Sequence, residues 1–97
     1  MNFTVRVRPA AKADIRAARL WYEQQRRGLG KGFVECVDEV VQGLKTTPRR
    51  HQTVLEDVRR AMLRRFPYCL YYQVHEKTVE VIGVFHAKRD PEARLDS

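Results

Sequence analysis

Residues 64–91, RRFPYCLYYQVHEKTVEVIGVFHAKRDP, decide the fold. Residues 68–74 and 78–85 are rich in Val, Ile, Tyr and Phe, which suit a pleated, half-buried surface, and the polar link His75-Glu76-Lys77 separates them. The stretch therefore reads as a β-hairpin. Alternation puts Tyr68, Leu70, Tyr72 and Val74 on the core face. Cys69, Tyr71, Gln73 and His75 fall on the other, expected to be open and lined by Tyr71 and arginines. An arginine pair enters the hairpin and His86, Lys88 and Arg89 leave it, so cationic and aromatic groups gather at one end.

Upstream, residues 53–66 show a weaker period of two, with Val58, Met62 and Phe66 on one side and Ala61 and Leu63 on the other. This predicts a third strand carrying Arg59, Arg60, Arg64 and Arg65, divided between its faces. Phe66-Pro67 marks the turn into the hairpin, because proline cannot donate to a sheet ladder. A three-stranded meander needs a cover on one face. Two amphipathic helices supply it. In the first, residues 10–27, Ala11, Ile15, Ala18 and Tyr22, joined by Trp21, fall on one face. In the second, Phe33, Val37, Val40, Val41 and Leu44 recur at helical spacing up to Thr46-Thr47-Pro48. Gly28-Leu29-Gly30 breaks the chain between them, which makes an antiparallel helical hairpin. Ahead of both, Phe3, Val5 and Val7 alternate with polar residues as a leading strand that ends at Pro9. The expected architecture is α+β, in the order β-α-α-β-β-β, with the helical hairpin packed on an antiparallel sheet, all within one unit spanning residues 1–97.

Composition narrows the function classes. The 97 residues can bury only about 60–65% of their unfolded surface, so stability without a partner should be modest. A hydrophobic fraction of 43% argues against disorder. No apolar run approaches the roughly 18 residues of a membrane span. The N-terminal alternation is unlike a signal peptide, so the expected location is cytoplasmic. A net charge of +7 favours an acidic partner, either nucleic acid or an acidic protein segment. Cys36 and Cys69 stand apart, without the spacing of a zinc or disulfide framework, and read as buried apolar residues. No motif points to a metal or cofactor.

The pattern RRFPYxxYYxV, a short turn, then VxVIGVxHxxRDP closely resembles the C-terminal half of the RelE/ParE toxins of bacterial type II toxin–antitoxin systems. The leading strand, the helix ending WYE, the GLG turn and the helix ending near TTP extend the resemblance over nearly the whole chain. It implies a growth-inhibiting toxin held in check by a cognate antitoxin. The ParE-like branch, whose members are described as poisons of DNA gyrase, is the better match. It has a long helical hairpin and a last strand that commonly ends VxHxxRD, as Val84, His86, Arg89 and Asp90 do here.

Two alternatives stay open. A RelE-type nuclease cutting mRNA on the ribosome without a metal needs an acid, a base and cations on the phosphate. His86 would act as acid or base, since histidine's unperturbed pKa lies close to neutral, and Arg64 as the phosphate clamp. The other alternative is a basic nucleic-acid-binding module. Under the binding readings, Arg59, Arg60, Arg65, Tyr71, Lys88 and Arg89 are the candidates for touching a target or an antitoxin. That antitoxin is expected to present an acidic segment that folds as it binds. Trp21 and Tyr22 read as core residues, Arg26, Arg27 and Lys31 as a solvated helix end, and Asp90 as the residue that fixes a C-terminal turn.

Overall fold

The computed structural model describes residues 2–95, so Met1, Asp96 and Ser97 of the expected 1–97 unit lie outside the described residues. The chain runs β1 (Thr4–Val7), α1 (Pro9–Gln25), α2 (Leu29–Leu44), a 3-10 turn at Pro48–Arg50, β2 (Thr53–Leu55), β3 (Val58–Met62), β4 (Tyr68–His75), β5 (Thr78–His86) and α3 (Pro91–Leu95). Pro9 opens α1, where its missing N–H would have no intrahelical partner. Gly28 turns the corner at φ 87°, a conformation glycine adopts without a Cβ penalty. At Gly30 the helices cross closely enough that a Cβ would lie 2.6 Å from the Arg19 carbonyl oxygen. The Glu23 carboxylate fastens this corner by accepting the N–H groups of Gly28 (3.0 Å) and Gly30 (3.0 Å).

The strands form one sheet in the order β1-β5-β4-β3-β2, antiparallel except for β1, which pairs parallel with β5 from Thr4↔Thr78 to Val7↔Val81. Two helices on a mostly antiparallel sheet make the α+β fold expected from the residue pattern. The main core lies between the helical hairpin and one sheet face, where Ala11, Ala18, Phe33, Val37, Leu44, Leu70, Tyr72, Val79, Val81 and Val84 are buried together. Pairing shifts from Tyr71↔Gly83 to Tyr72↔Val81, leaving Ile82 as an extra residue in β5. That bulge explains how Val81 and Val84, three positions apart, both reach the core face: strict alternation would have sent Val84 to the other side.

Three expectations need correction. The strand over 53–66 is two short strands. Glu56 (φ 50°) and Asp57 turn the chain between β2 and β3, and a bend with Arg65 at φ 75° follows β3. Asp57 accepts a hydrogen bond from the Gln73 amide at 2.9 Å, so the two acids belong to a turn. Because the chain bends after Met62, Phe66 joins Ala61 and Leu63 in the main core, while Met62 is 60% exposed.

Tyr71 does not line an open face, for its relative exposure is 0%. The second face carries its own small core of Val58, Cys69, Tyr71 and Phe85. The Tyr71 and Phe85 rings stack at 4.2 Å, and α3, absent from the expected order, folds over this face. Its Leu95 closes on Gly83, where an added Cβ would meet the leucine at 3.2 Å. Burial is the main reason the Tyr71 phenol is pushed up, and Arg60 beside it pulls the other way. Trp21 is the third correction. It stands 54% exposed, and only its neighbour Tyr22 packs on the core, against Phe33 (5.5 Å) and Phe66 (4.8 Å). Cys36 and Cys69 are both buried free thiols.

Candidate functional site

The second half of α1 and the end of β5 do not close on each other. Between them lies a groove of about 920 Å³, walled by Ala17, Ala18 and Trp21 of α1, floored by Tyr68 and Val84, and edged by His86, Lys88 and Arg89. Three of the site residues expected from sequence thus share one concave surface. They meet because β1 pairs with β5 only as far as Val81, so beyond that residue the edge of β5 away from β4 is left to α1.

The histidine is held by its own turn. Its Nδ1 accepts the Lys88 N–H at 3.1 Å and its carbonyl oxygen accepts the Arg89 N–H at 2.9 Å. With Nδ1 serving as acceptor, the neutral ring carries its proton on Nε2 and is a donor there. The ring also meets Tyr68 edge-on at 5.6 Å. The groove's acid, Asp14, accepts the Val84 N–H at 3.1 Å and binds the Arg94 guanidinium at 2.8 Å, and Arg94 lies over the Phe85 ring at 4.7 Å. Asp14 and Arg94, which the sequence reading did not single out, therefore tie α1, β5 and α3 together. Asp90 fixes the C-terminal turn as expected: its Oδ1 accepts the Glu92 N–H at 3.0 Å and its carbonyl the Arg94 N–H at 3.1 Å.

The remaining arginines go elsewhere. Arg59 donates to the main-chain carbonyls of Arg49 (3.1 Å) and His51 (2.6 Å), pinning the loop after α2. Tyr72 donates its hydroxyl to the Pro48 carbonyl of the same loop at 2.6 Å. Burial first, then the charges of Arg50 and Arg59, push His51 below the usual histidine range. Arg64 is exposed and pairs with Glu39 of α2 at 2.8 Å. Arg65 lies over the Phe66 ring at 5.6 Å, and Arg60 is exposed on the second sheet face. None of these four lines the groove. The pattern that reveals the groove is the exposed side of α1, where Ala17 is apolar and Trp21 joins it once Tyr22 alone takes the core position.

The sequence fits the family model described as the ParE toxin of the type II toxin–antitoxin system parDE over residues 5–91. The chain belongs to the ParE toxin family. It is a type II toxin of the ParE/RelE superfamily. Solved structures share this ParE-family fold. A chain of the chromosomal ParDE system from P. aeruginosa matches with a TM-score of 0.65 and 17% identity, covering 87% of this chain and 95% of that one. One of the RelBE2 toxin–antitoxin complex from Mycobacterium tuberculosis matches with 0.64 and 20%, covering 89% and 99%. A doubly substituted E. coli RelE toxin in its free state matches with 0.70 and 19%, covering 98% and 94%. Among curated proteins none matches this chain. Within the described residues no helix is long and apolar enough to cross a membrane.

Proposed function

We propose that this toxin stops growth by binding DNA gyrase, without cutting nucleic acid itself, and that a cognate antitoxin neutralises it through an acidic segment that folds on binding. The observation that carries the non-catalytic reading is the separation of the groups that RNA cleavage would need. His86 has Nδ1 occupied by the Lys88 N–H, so its neutral form offers a donor to the groove and no base. Arg64, the clamp expected from sequence, is paired with Glu39 and lies outside the groove that holds His86. General acid–base chemistry requires its groups within hydrogen-bond reach of one substrate. Lys88, Arg89 and a donor-only His86 beside an apolar floor suit recognition better.

The antitoxin half of the proposal draws on the family and on the net charge of +7, which favours an acidic partner. Gyrase as the target follows the resemblance to the ParE-like branch. Purified toxin is expected to inhibit gyrase supercoiling or trap its cleaved complex, and the protein encoded by the neighbouring reading frame should reverse this. If gyrase is unaffected and primer extension after induction finds new mRNA 5′ ends within codons, the nuclease is the correct reading instead. Binding to nucleic acid that falls steeply with salt, without toxicity, would point to the plain basic module.

A further inference from the structure

The side of α1 turned away from the core carries both apolar and cationic side chains. At about 100° per residue, Ala13, Ala17, Leu20 and Gln24 form one outer ridge opposite the buried Ala11 and Ala18, and all four are exposed. Leu20 (49% exposed) and its neighbour Trp21 (54%) are large apolar side chains left in solvent there. The next ridge, on the side of α2, is Lys12, Arg16 and Arg19, also exposed. Beyond Trp21, across the groove, stand Lys88 and Arg89. Cations therefore flank the apolar ridge on both sides, and none of the ion pairs among the described residues uses them. Both acids of α1 are occupied, Asp14 by Arg94 and the Val84 N–H, Glu23 by the N–H groups of Gly28 and Gly30.

The occupant has to answer three features together: apolar side chains on the ridge, cations on both flanks, and a convex shape. A second copy of the chain would set +7 against +7. A nucleic-acid strand would answer the cations but leave Leu20, which offers no face for a base to stack on, against phosphates. A docked peptide wants a concave seat, and this ridge is the outer back of a helix. An anionic lipid surface answers all three. Its headgroups pair with cations on either flank, its interface takes up Trp and Leu, and its continuous plane covers a helix lying flat on it.

We propose that the outer face of α1 rests on anionic lipid, with Leu20 and Trp21 entering the boundary between headgroups and acyl chains and with Lys12, Arg16, Arg19, Lys88 and Arg89 meeting lipid phosphates. This is contact with a membrane surface and not a span. The helix keeps its own core contacts through Ala11, Ala18 and Tyr22, so binding needs no unfolding. Each cation near an anionic surface contributes about fivefold in affinity, and salt screens it. The contact is independent of the toxin's target and of its antitoxin.

The test is sedimentation of the full chain with vesicles of phosphatidylglycerol and phosphatidylcholine, against vesicles of phosphatidylcholine alone. Trp21 is the only tryptophan in the sequence, so its emission reports this face. The chain is expected to pellet with the anionic vesicles, to bind the neutral ones at least tenfold more weakly, and to come off as salt rises. Trp21 emission should move to the blue and be quenched by brominated acyl chains. Arg16→Glu and Lys77→Glu change the net charge equally from exposed positions, but Lys77 lies in the turn between β4 and β5. Arg16→Glu should weaken binding about fivefold or more and Lys77→Glu less than twofold. Leu20→Gln should weaken binding and shrink the blue shift, with circular dichroism checking that each variant keeps its helix content. No binding to anionic vesicles, equal affinity for neutral ones, or equal effects of the two charge reversals overturns the proposal. So does pelleting without a change at Trp21, or a Trp21 shift produced by polyglutamate or a 15-nucleotide oligothymidylate and not by vesicles.

Discussion

Replacing Tyr72 by Phe removes one hydroxyl from the buried side of β4 and nothing else. That hydroxyl donates to the Pro48 carbonyl at 2.6 Å, and both residues are buried. The carbonyl would keep its desolvation and lose its partner, which costs about 1–2 kcal/mol. For a domain of this size each kcal/mol moves the midpoint by roughly 4–8 °C, so Tyr72→Phe should melt roughly 4–16 °C below wild type in a calorimetric scan. A second signature comes from pH. Burial pushes the Tyr72 phenol up from 10.0 to about 12. A folded-state pKa above the unfolded one means the contribution is complete below about pH 10 and is lost as pH rises through about 12. Wild type should lose stability over that window, and Tyr72→Phe should lose less because it has no phenol there to ionise. A midpoint within two degrees of wild type, or identical alkaline slopes, would refute the role given to this bond.

Acid should act at the helical corner. Hydrogen bonds from Gly28 and Gly30 hold the Glu23 carboxyl below the usual range, so its contribution is present above the unfolded pKa and lost as pH falls through the lower folded one. Denaturation curves between pH 6 and pH 3 should therefore be flatter for Glu23→Gln than for wild type, and equal slopes would count against the contact. Gly30→Ala places a Cβ 2.6 Å from the Arg19 carbonyl oxygen and should cost about 1–3 kcal/mol in urea unfolding, since a backbone atom cannot swing away. Arg64→Ala breaks an exposed pair with Glu39 and should change stability by less than about 1 kcal/mol in the same assay.

Much of the fold could be read from local pattern, since period and turn chemistry act through neighbours in the chain. The two helices, their glycine corner, the β4–β5 hairpin and the buried cysteines follow from residues a few positions apart. The turn at Glu56-Asp57 was missed because a charged pair inside a weak alternation looks like two exposed strand positions. α3 was missed because five residues are too few to show a helical period, and its reason for folding is the apolar second face it covers. Trp21 reads as core because aromatic residues at helical spacing are mostly buried, but neighbours in a helix point about 100° apart and here only Tyr22 reaches Phe33.

The candidate site divides along the same line. His86, Lys88 and Arg89 stand within four positions of each other, so their association was visible in the chain itself. That Ala17, Trp21 and Asp14 face them across a groove depends on β1 ending at Val81 of its partner and on α1 lying beside the end of β5. The fate of the arginines was likewise beyond sequence. Arg59, Arg60, Arg64 and Arg65 look interchangeable along the chain, yet one pins a loop, one pairs with α2, one covers a ring and one is exposed on the second face. Hydrophobic periodicity is a property of adjacent residues and survives without knowledge of the fold. The partner a long charged side chain finds depends on which distant backbone atoms and carboxylates the packed core brings within about 3 Å of it.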